Sequence, residues 1–241
     1  MTALTIVSVL PELLNTNGDA ENARVLARRA EWAGHEATVV AVNSVDEIPE
    51  TVDLVVVGSG TDSELVLARD LLQPMVGHFR QWCADHVPIL AVGTGWELLS
   101  WGIELGGGEV VEGLGLVAGR AVPADARVTD DIVVKTKYGR LSGFENHSRG
   151  YVGAQASPLG RVVSGTGNGQ DQEGLVMGDL FCTHLHGPVL ARNPGFADHM
   201  LSITLARHGA DYVPSERSRR ADDIAKAARN QIALRLGIPA E

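Results

Sequence analysis

The chain has 241 residues, of which 44 % are hydrophobic and 21 % are charged, so it can bury a large core. Its formal net charge of −10 argues against a basic, phosphate-binding surface, and we expect no nucleic acid partner. The two cysteines are too few for a disulfide framework and indicate a cytoplasmic protein, and the lack of a long apolar segment indicates no membrane insertion.

The first hundred residues alternate between strand-like and helix-like patterns. Four short apolar runs predict strands at residues 4–10, 37–42, 53–57 and 88–92, the first of them buried on both faces. Between these runs, apolar residues recur at helical spacing, with Asp19 positioned to cap the first helix and Pro74 expected to divide the second. A third helix is expected at 95–101. Such alternation predicts an α/β fold with a central, mostly parallel sheet flanked by helices.

The pattern changes from about Gly106 onward, where glycine-rich turns separate short strand-like runs. These runs predict β-hairpin additions and lie at 110–117, 131–137, 161–164 and 180–185. Two helices are expected to follow, at 194–208 and at about 218–236. No internal repeat or long linker interrupts the sequence, so we expect residues 1–241 to form a single domain.

Two turns that follow predicted strands contain glycines and small polar residues. Ligands of open α/β sheets bind at the carboxyl ends of the strands, where glycine lets the backbone approach the ligand. Gly58, Ser59 and Gly60 follow the third strand, whereas Gly93 and Thr94 follow the fourth. The second turn is typical of a nucleophile elbow, in which the N–H of the next residue contributes to an oxyanion hole.

A histidine at the end of a later strand-like run, His186, is a candidate general base. Together with Cys182 and His184 it forms a Cys-x-His-x-His run. Neighbouring residues of one strand rarely supply tetrahedral ligands on their own, so we expect no metal site here.

Six motifs distributed over nearly the whole chain resemble, in the right order, those of the GatD family. They lie at residues 13–19, 58–62, 112–115, 143–147, 165–168 and 185–188. This family comprises the glutaminase subunits that pair with the Mur-ligase-like protein MurT to amidate lipid II, and it lies within the CobB/CobQ-type class I glutamine amidotransferases. The resemblance implies a class I glutamine amidotransferase fold for the whole domain.

The resemblance also implies a reaction. A cysteine thiolate attacks the side-chain amide of glutamine, ammonia leaves and a glutamyl thioester is hydrolysed, with His186 in the position of the family's catalytic histidine. The ammonia passes to a MurT-like ligase, which uses ATP and magnesium to activate the α-carboxylate of D-glutamate in lipid II. The chain itself is expected to need no cofactor, and glutamine is the ligand that the resemblance implies.

The chain departs from the family pattern at the elbow. The family has an apolar pair followed by Cys, Gly, Gly, an aromatic residue and Gln, whereas residues 91–97 here are Ala-Val-Gly-Thr-Gly-Trp-Glu. Gly93 therefore takes the position of the nucleophilic cysteine, and the glutaminase step is expected to be lost or impaired. An arginine that holds substrate in the family aligns with Gly150, and Arg149 precedes it by one residue, so both are candidate substrate-binding residues.

Two alternatives stay open at this point. In one, the chain is an active amidohydrolase with another nucleophile, such as Thr94 or a repositioned thiol. In the other, it is a non-catalytic module that binds glutamine or another small ligand. Cys83 falls on the apolar face of a predicted helix, and Cys182 precedes His186 by four residues of extended chain, so spacing places neither thiol beside this histidine.

Overall fold

The computed structural model describes residues 2–241. Six strands form the first sheet: β1 (Ala3–Val9), β2 (Glu36–Val42), β3 (Leu54–Val57), β4 (Ile89–Val92), β11 (Leu175–Met177) and β12 (Leu180–Thr183). Their spatial order is β11-β12-β4-β3-β1-β2, and every pair is parallel except the edge pair β11 and β12. The expected α/β class with a mostly parallel sheet is confirmed.

Helices cover this sheet and largely follow the predicted ranges. They are α1 (Glu21–Trp32), α2 (Leu65–Leu72), α3 (Val76–Ala84), α4 (Thr94–Leu99), α5 (Val189–Arg192), α6 (Pro194–Arg207) and α7 (Glu216–Arg235). Pro74 lies in a 3-10 turn between α2 and α3, so the expected division at this proline is confirmed. No helix within residues 2–241 combines the length and the apolar character that a membrane crossing requires.

Alternate residues of the central strands contribute to two separate cores. On one face, Val55 and Val57 pack in a cluster that includes Phe79 of α3. On the other face, Leu54 and Val56 pack in a cluster that includes Leu26 of α1, together with apolar residues of α6. Because both faces are covered, β3 and β4 consist entirely of buried apolar residues, which explains why their sequences show no polar alternation.

The second half of the chain forms another sheet with longer strands than expected. Its strands are β5 (Gly102–Glu104), β6 (Val110–Glu112), β7 (Arg120–Thr136), β8 (Gly139–Val152), β9 (Gly160–Ser164) and β10 (Gln172–Glu173). The run at 131–137 is only the last part of β7, and β8 was not predicted at all. The first half of β7 is mostly exposed, and β8 buries polar side chains, so neither displays the apolar alternation by which strands are recognised.

Two further expectations at chain turns need correction. Helix α1 begins at Glu21 after Ala20, without a side-chain cap, and the Asp19 carboxylate is turned instead toward His186. The strand-like run at 110–117 ends as a strand at Glu112, because the N–H groups of Leu114 and Gly115 bond instead to the carbonyl oxygens of Leu98 and Ser100 at the end of α4, each at 2.9 Å.

Gly58 allows the turn after β3 to lie directly against an earlier loop. A Cβ atom at this position would lie 2.0 Å from the carbonyl oxygen of Leu14, so one of the two backbone segments would have to move. We expect Gly58→Ala to lower the free energy of unfolding by about 1–3 kcal/mol or more, as for other overpacked sites.

Urea denaturation of both the variant and the parent chain measures this effect. Gly77→Ala is the matched control, since Gly77 lies on α3 with open space around its Cβ position. It should raise stability slightly, because alanine favours helix over glycine by about 1 kcal/mol. Equal stability of the two alanine variants would contradict the close backbone approach.

Candidate active site

Gly93 forms a sharp turn between β4 and α4. Its backbone has φ +52° and ψ −121°, a conformation that glycine adopts readily and that costs other residues about 1–3 kcal/mol. Strands β3 and β12 flank β4 in parallel, so the turn at Gly93 lies at the same sheet edge as Ser59 and the segment that follows Thr183. The turn thus has the backbone geometry of the elbow that its sequence predicts.

His186 lies beside this turn and is held by a buried carboxylate. Its Nδ1 atom lies 2.8 Å from Oδ2 of Asp19, and the other oxygen of Asp19 accepts the N–H of Gly187 at 3.0 Å. A carboxylate on Nδ1 favours a proton there, which leaves Nε2 as the basic nitrogen. Nε2 is buried and has no hydrogen-bond partner among residues 2–241. His186 and Asp19 therefore form an oriented base without a nucleophile bonded to it.

The space next to Gly93 is occupied by two side chains. A Cβ atom built on Gly93 would lie 2.6 Å from Cε1 of His186 and 2.7 Å from Oγ of Ser59. Both groups are the ends of side chains that have closed over the glycine. In this conformation a side chain at position 93 fits only after His186 and Ser59 move.

The backbone N–H expected to stabilise an oxyanion already has a partner. Thr94 donates this N–H to Oγ of Ser59 at 3.2 Å, and Ser59 in turn lies 3.2 Å from the Thr94 hydroxyl. That hydroxyl donates to the carbonyl oxygen of Gly60 at 3.0 Å. The hydroxyl of Thr94 is therefore bonded to the turn after β3 and not to His186.

Neither cysteine lies on the wall of this site. Cys182 lies on β12 opposite Ala91 of β4 and is completely buried in the core, and burial raises the pKa of its thiol well above the ordinary value. Cys83 lies half-buried on α3, and burial raises the pKa of its thiol too. Both environments disfavour the reactive thiolate.

A cavity of about 320 Å³ opens at the elbow. Six of the residues expected in the site form part of its wall: Ser59, Gly60, Gly93, Thr94, Arg149 and His186. Gly58 packs instead against Leu14, and the Cβ position of Gly150 faces the carbonyl oxygen of Asn168 at 3.5 Å. Of the two candidate substrate-binding positions, Arg149 therefore lines the cavity and Gly150 does not.

Arg149 is held in the cavity wall by two carboxylates that the sequence analysis did not identify. Its Nε atom donates to both oxygens of Glu97, at 3.1 and 3.0 Å, and Nη2 donates to Glu97 and to Asp62, each at 2.8 Å. Burial alone would lower the pKa of Arg149, but the two carboxylates outweigh it and raise the pKa. The hydrogen bond from Arg149 also lowers the pKa of Asp62. Arg149 and Asp62 are therefore both ionised at neutral pH.

A buried histidine links Arg149 to the neighbouring strands. Nδ1 of His147 lies 2.7 Å from the carbonyl oxygen of Arg149, and Nε2 lies 3.2 Å from a carboxylate oxygen of Glu145. Glu145 accepts two backbone N–H groups as well, from Thr166 at 2.8 Å and Gly167 at 2.6 Å. Both ring nitrogens of His147 thus face acceptors, an arrangement that favours the doubly protonated imidazolium. Burial opposes this charge, but these hydrogen bonds outweigh it and raise the pKa of His147.

His184 lies against this imidazolium, with 4.4 Å between the ring centroids. Its Nδ1 atom lies 3.2 Å from the buried carboxylate of Glu173. Burial and the charge of His147 lower the pKa of His184, which therefore stays neutral. The three members of the Cys-x-His-x-His run consequently have separate surroundings: Cys182 lies in the core, His184 contacts Glu173 and His186 contacts Asp19.

The raised pKa of His147 predicts a specific pH dependence of stability. The contribution of His147 to the free energy of unfolding is complete below the ordinary pKa of about 6.5, and it is lost as the pH rises through the raised pKa. His184, whose pKa is lowered, acts in the opposite direction and only below pH 6.5. We expect His147→Gln to flatten the loss of stability above pH 6.5.

Denaturation of the parent chain and the variant across pH 6 to 9 tests this expectation. Exposed His78 supplies the control His78→Gln, which should keep the parent's slope. An unchanged slope in His147→Gln would show that His147 carries no extra proton in the folded state.

A second prediction concerns the elbow. We expect Gly93→Cys to lower the melting temperature, because the residue must adopt φ +52° and displace His186 and Ser59. Gly209→Cys is the control, since Gly209 has φ +67° with open space around it and so carries the backbone strain alone. The Gly93 variant should lose more stability than the control in differential scanning calorimetry. A clear rise would contradict the elbow conformation.

Known proteins share both the sequence pattern and the fold. The sequence profile of the CobB/CobQ-like glutamine amidotransferase domain matches residues 5–194. The chain is 30 % identical to the GatD subunit of the lipid II isoglutaminyl synthase (glutamine-hydrolyzing) of Staphylococcus aureus, over 94 % of each chain. It is 28 % identical to the GatD subunit of Streptococcus pneumoniae, over 92 % of this chain and 89 % of that one.

Solved structures show the same fold at much lower sequence identity. A crystal structure of a glutamine amidotransferase aligns with a TM-score of 0.56 and 17 % identity, over 82 % of this chain and 98 % of that chain. The PurLQS structure from Thermotoga maritima aligns with a TM-score of 0.52 and 16 % identity, over 76 % and 87 % of the two chains. Since the profile matches most of the chain, this protein belongs to the CobB/CobQ-like glutamine amidotransferase family.

Proposed function

We propose that this chain is a GatD-like subunit that works with a MurT-like, ATP-dependent ligase in the cytoplasm, where the complex amidates the D-glutamate of lipid II. The ligase binds ATP and magnesium and performs the amidation, whereas this chain provides no glutaminase activity of its own. The observation that carries the proposal is Gly93 at the elbow, beside the intact pair of His186 and Asp19. Full-length similarity to two GatD subunits supports the choice of partner.

The site lacks two groups that glutamine hydrolysis requires. Hydrolysis of an amide through a thioester needs a nucleophile that a histidine can deprotonate and a free donor for the oxyanion. Gly93 has no side chain, Cys182 is buried in the core, and the Thr94 hydroxyl is bonded to Gly60. The Thr94 N–H is bonded to Ser59. His186 thus lacks a group to activate, and the turn lacks a free donor.

Such a subunit still has a structural role in the complex. The fold around the elbow is complete, with its central sheet, both cores and the cavity wall intact. We propose that the chain docks on the ligase as its active relatives do and that the ligase then draws ammonia from solution. An amidohydrolase with another nucleophile is disfavoured, since no described hydroxyl or thiol is bonded to Nε2 of His186.

Glutamate release and complex formation test the proposal separately. The purified chain, alone and with its ligase, should release no glutamate from glutamine above a blank, whereas the complex should amidate lipid II when ammonium is supplied. Copurification with the ligase should persist in His186→Ala, because the histidine has no catalytic task in this proposal. Robust glutamine turnover would refute the loss of glutaminase activity, and failure to copurify would refute the partnership.

A further inference from the structure

Arg149, on the wall of the cavity beside the elbow, is already hydrogen-bonded to two carboxylates of the protein. Arg149 makes three hydrogen-bond contacts with the two oxygens of Glu97 and a fourth with Asp62. The side chains of Arg149 and Glu97 are 8 % and 3 % exposed, so water screens this pair little. Paired Arg and carboxylate forks of this kind are among the stronger contacts in proteins.

The charges of this group leave no attraction for a further anion. One guanidinium faces two carboxylates, which gives the group of Glu97, Arg149 and Asp62 a net negative charge. His147 also lies on the wall, but its two ring nitrogens already face a carboxylate and a backbone carbonyl oxygen. A ligand carboxylate would have to displace Glu97 from Arg149 and leave that buried carboxylate without its partner, which is costly. The second arginine of the wall, Arg127, is exposed and donates to Asn146 from Nε and Nη2. An exposed arginine attracts a carboxylate only weakly.

The excess negative charge makes the same group more favourable to a cation than to an anion. The side chain of Asp62 is 60 % exposed and lies on the cavity wall, with one oxygen bonded to Arg149. The other carboxylate oxygen makes no hydrogen bond within residues 2–241 and can accept from an ammonium group. The amide side chains of Asn17 and Asn146, also on the cavity wall, are bonded to each other at 3.0 Å. The wall therefore favours an ammonium group over a carboxylate.

We propose that Glu97 determines the ligand specificity of this cavity: by holding Arg149, it excludes small molecules that carry a carboxylate and admits cationic carboxamides. This inference deepens the proposed function of the same site, since a chain without glutaminase activity then also rejects glutamine. It concerns binding by the isolated chain and is independent of the ligase.

Two ligands that differ in one group test the inference. L-glutamine and L-glutaminamide share the side-chain amide and the α-ammonium group, but the second has a neutral carboxamide in place of the α-carboxylate. Calorimetric titration of the parent chain should give a Kd for L-glutaminamide at least tenfold below that for L-glutamine. Equal affinities, a preference for L-glutamine, or no binding of either ligand would overturn the proposal.

The variant Glu97→Gln tests whether Glu97 causes the preference for L-glutaminamide over L-glutamine. It frees Arg149 from its main partner, so the preference for L-glutaminamide should fall at least tenfold. Glu104→Gln is the matched control, because Glu104 pairs with Arg120 outside the cavity wall, and the preference should not change. A folded Glu97→Gln variant that keeps the parent's preference would overturn the role of Glu97. Should that variant not fold, the comparison of the two ligands on the parent chain still decides the specificity.

Discussion

Parallel pairing of β3, β4 and β12 is the constraint on which the site depends. Parallel neighbours end at the same edge of a sheet, so the turns after these strands are brought together although they are distant in the sequence. Ser59, Gly93 and His186 meet there for this reason. The contact from the His186 N–H to the carbonyl oxygen of Phe144, at 2.9 Å, attaches β8 to the same edge.

Most polar groups of the cavity wall already have hydrogen-bond partners, and this limits the free energy that a ligand can gain by binding. Glu97, Arg149, Ser59 and Thr94 bond to one another or to the backbone in the absence of a ligand. A ligand must replace these bonds and not merely add new ones, so each contact it makes contributes little net free energy. Catalytic sites usually keep such donors and bases poised for substrate. Among the buried side-chain groups of this wall, only Nε2 of His186 lacks a hydrogen-bond partner within residues 2–241.

The fold was predictable from the sequence where apolar residues determine the structure. The runs that became β1, β3 and β4 are buried on both faces, and Pro74 interrupts its helix for reasons of covalent geometry. Sequence motifs also indicated the glycine turns and His186, which the structure brings to one cavity wall. The sequence could not predict the roles of residues whose hydrogen-bond partners lie far away along the chain. Asp19 has the position of a helix cap in the sequence, but in the fold its carboxylate bonds to His186. Glu97 lies on α4, and its partner Arg149 comes from the distant strand β8.

One signal for Glu97 was present in the sequence. Helix α4 is short and its other side chains are apolar or small, so a glutamate within it needs a buried partner. The family resemblance made Arg149 a candidate substrate-binding residue, but nothing in the sequence paired it with Glu97, because β8 carries its charged groups at alternate positions of a strand that lacks apolar periodicity. The identity of a buried ion pair thus required the three-dimensional arrangement.

The alternation along β8 also limits how this site can change during evolution. Glu145, His147 and Arg149 occupy every second position and are all buried, whereas the residues between them are half-buried. Side chains of a strand point to opposite faces in turn, so one inserted or deleted residue upstream in β8 would exchange the two sets at once. The carboxylate, the imidazolium and the guanidinium would leave their places together. Variation at this wall is therefore restricted to substitutions, and changes of length must fall in the turns at the ends of the hairpin.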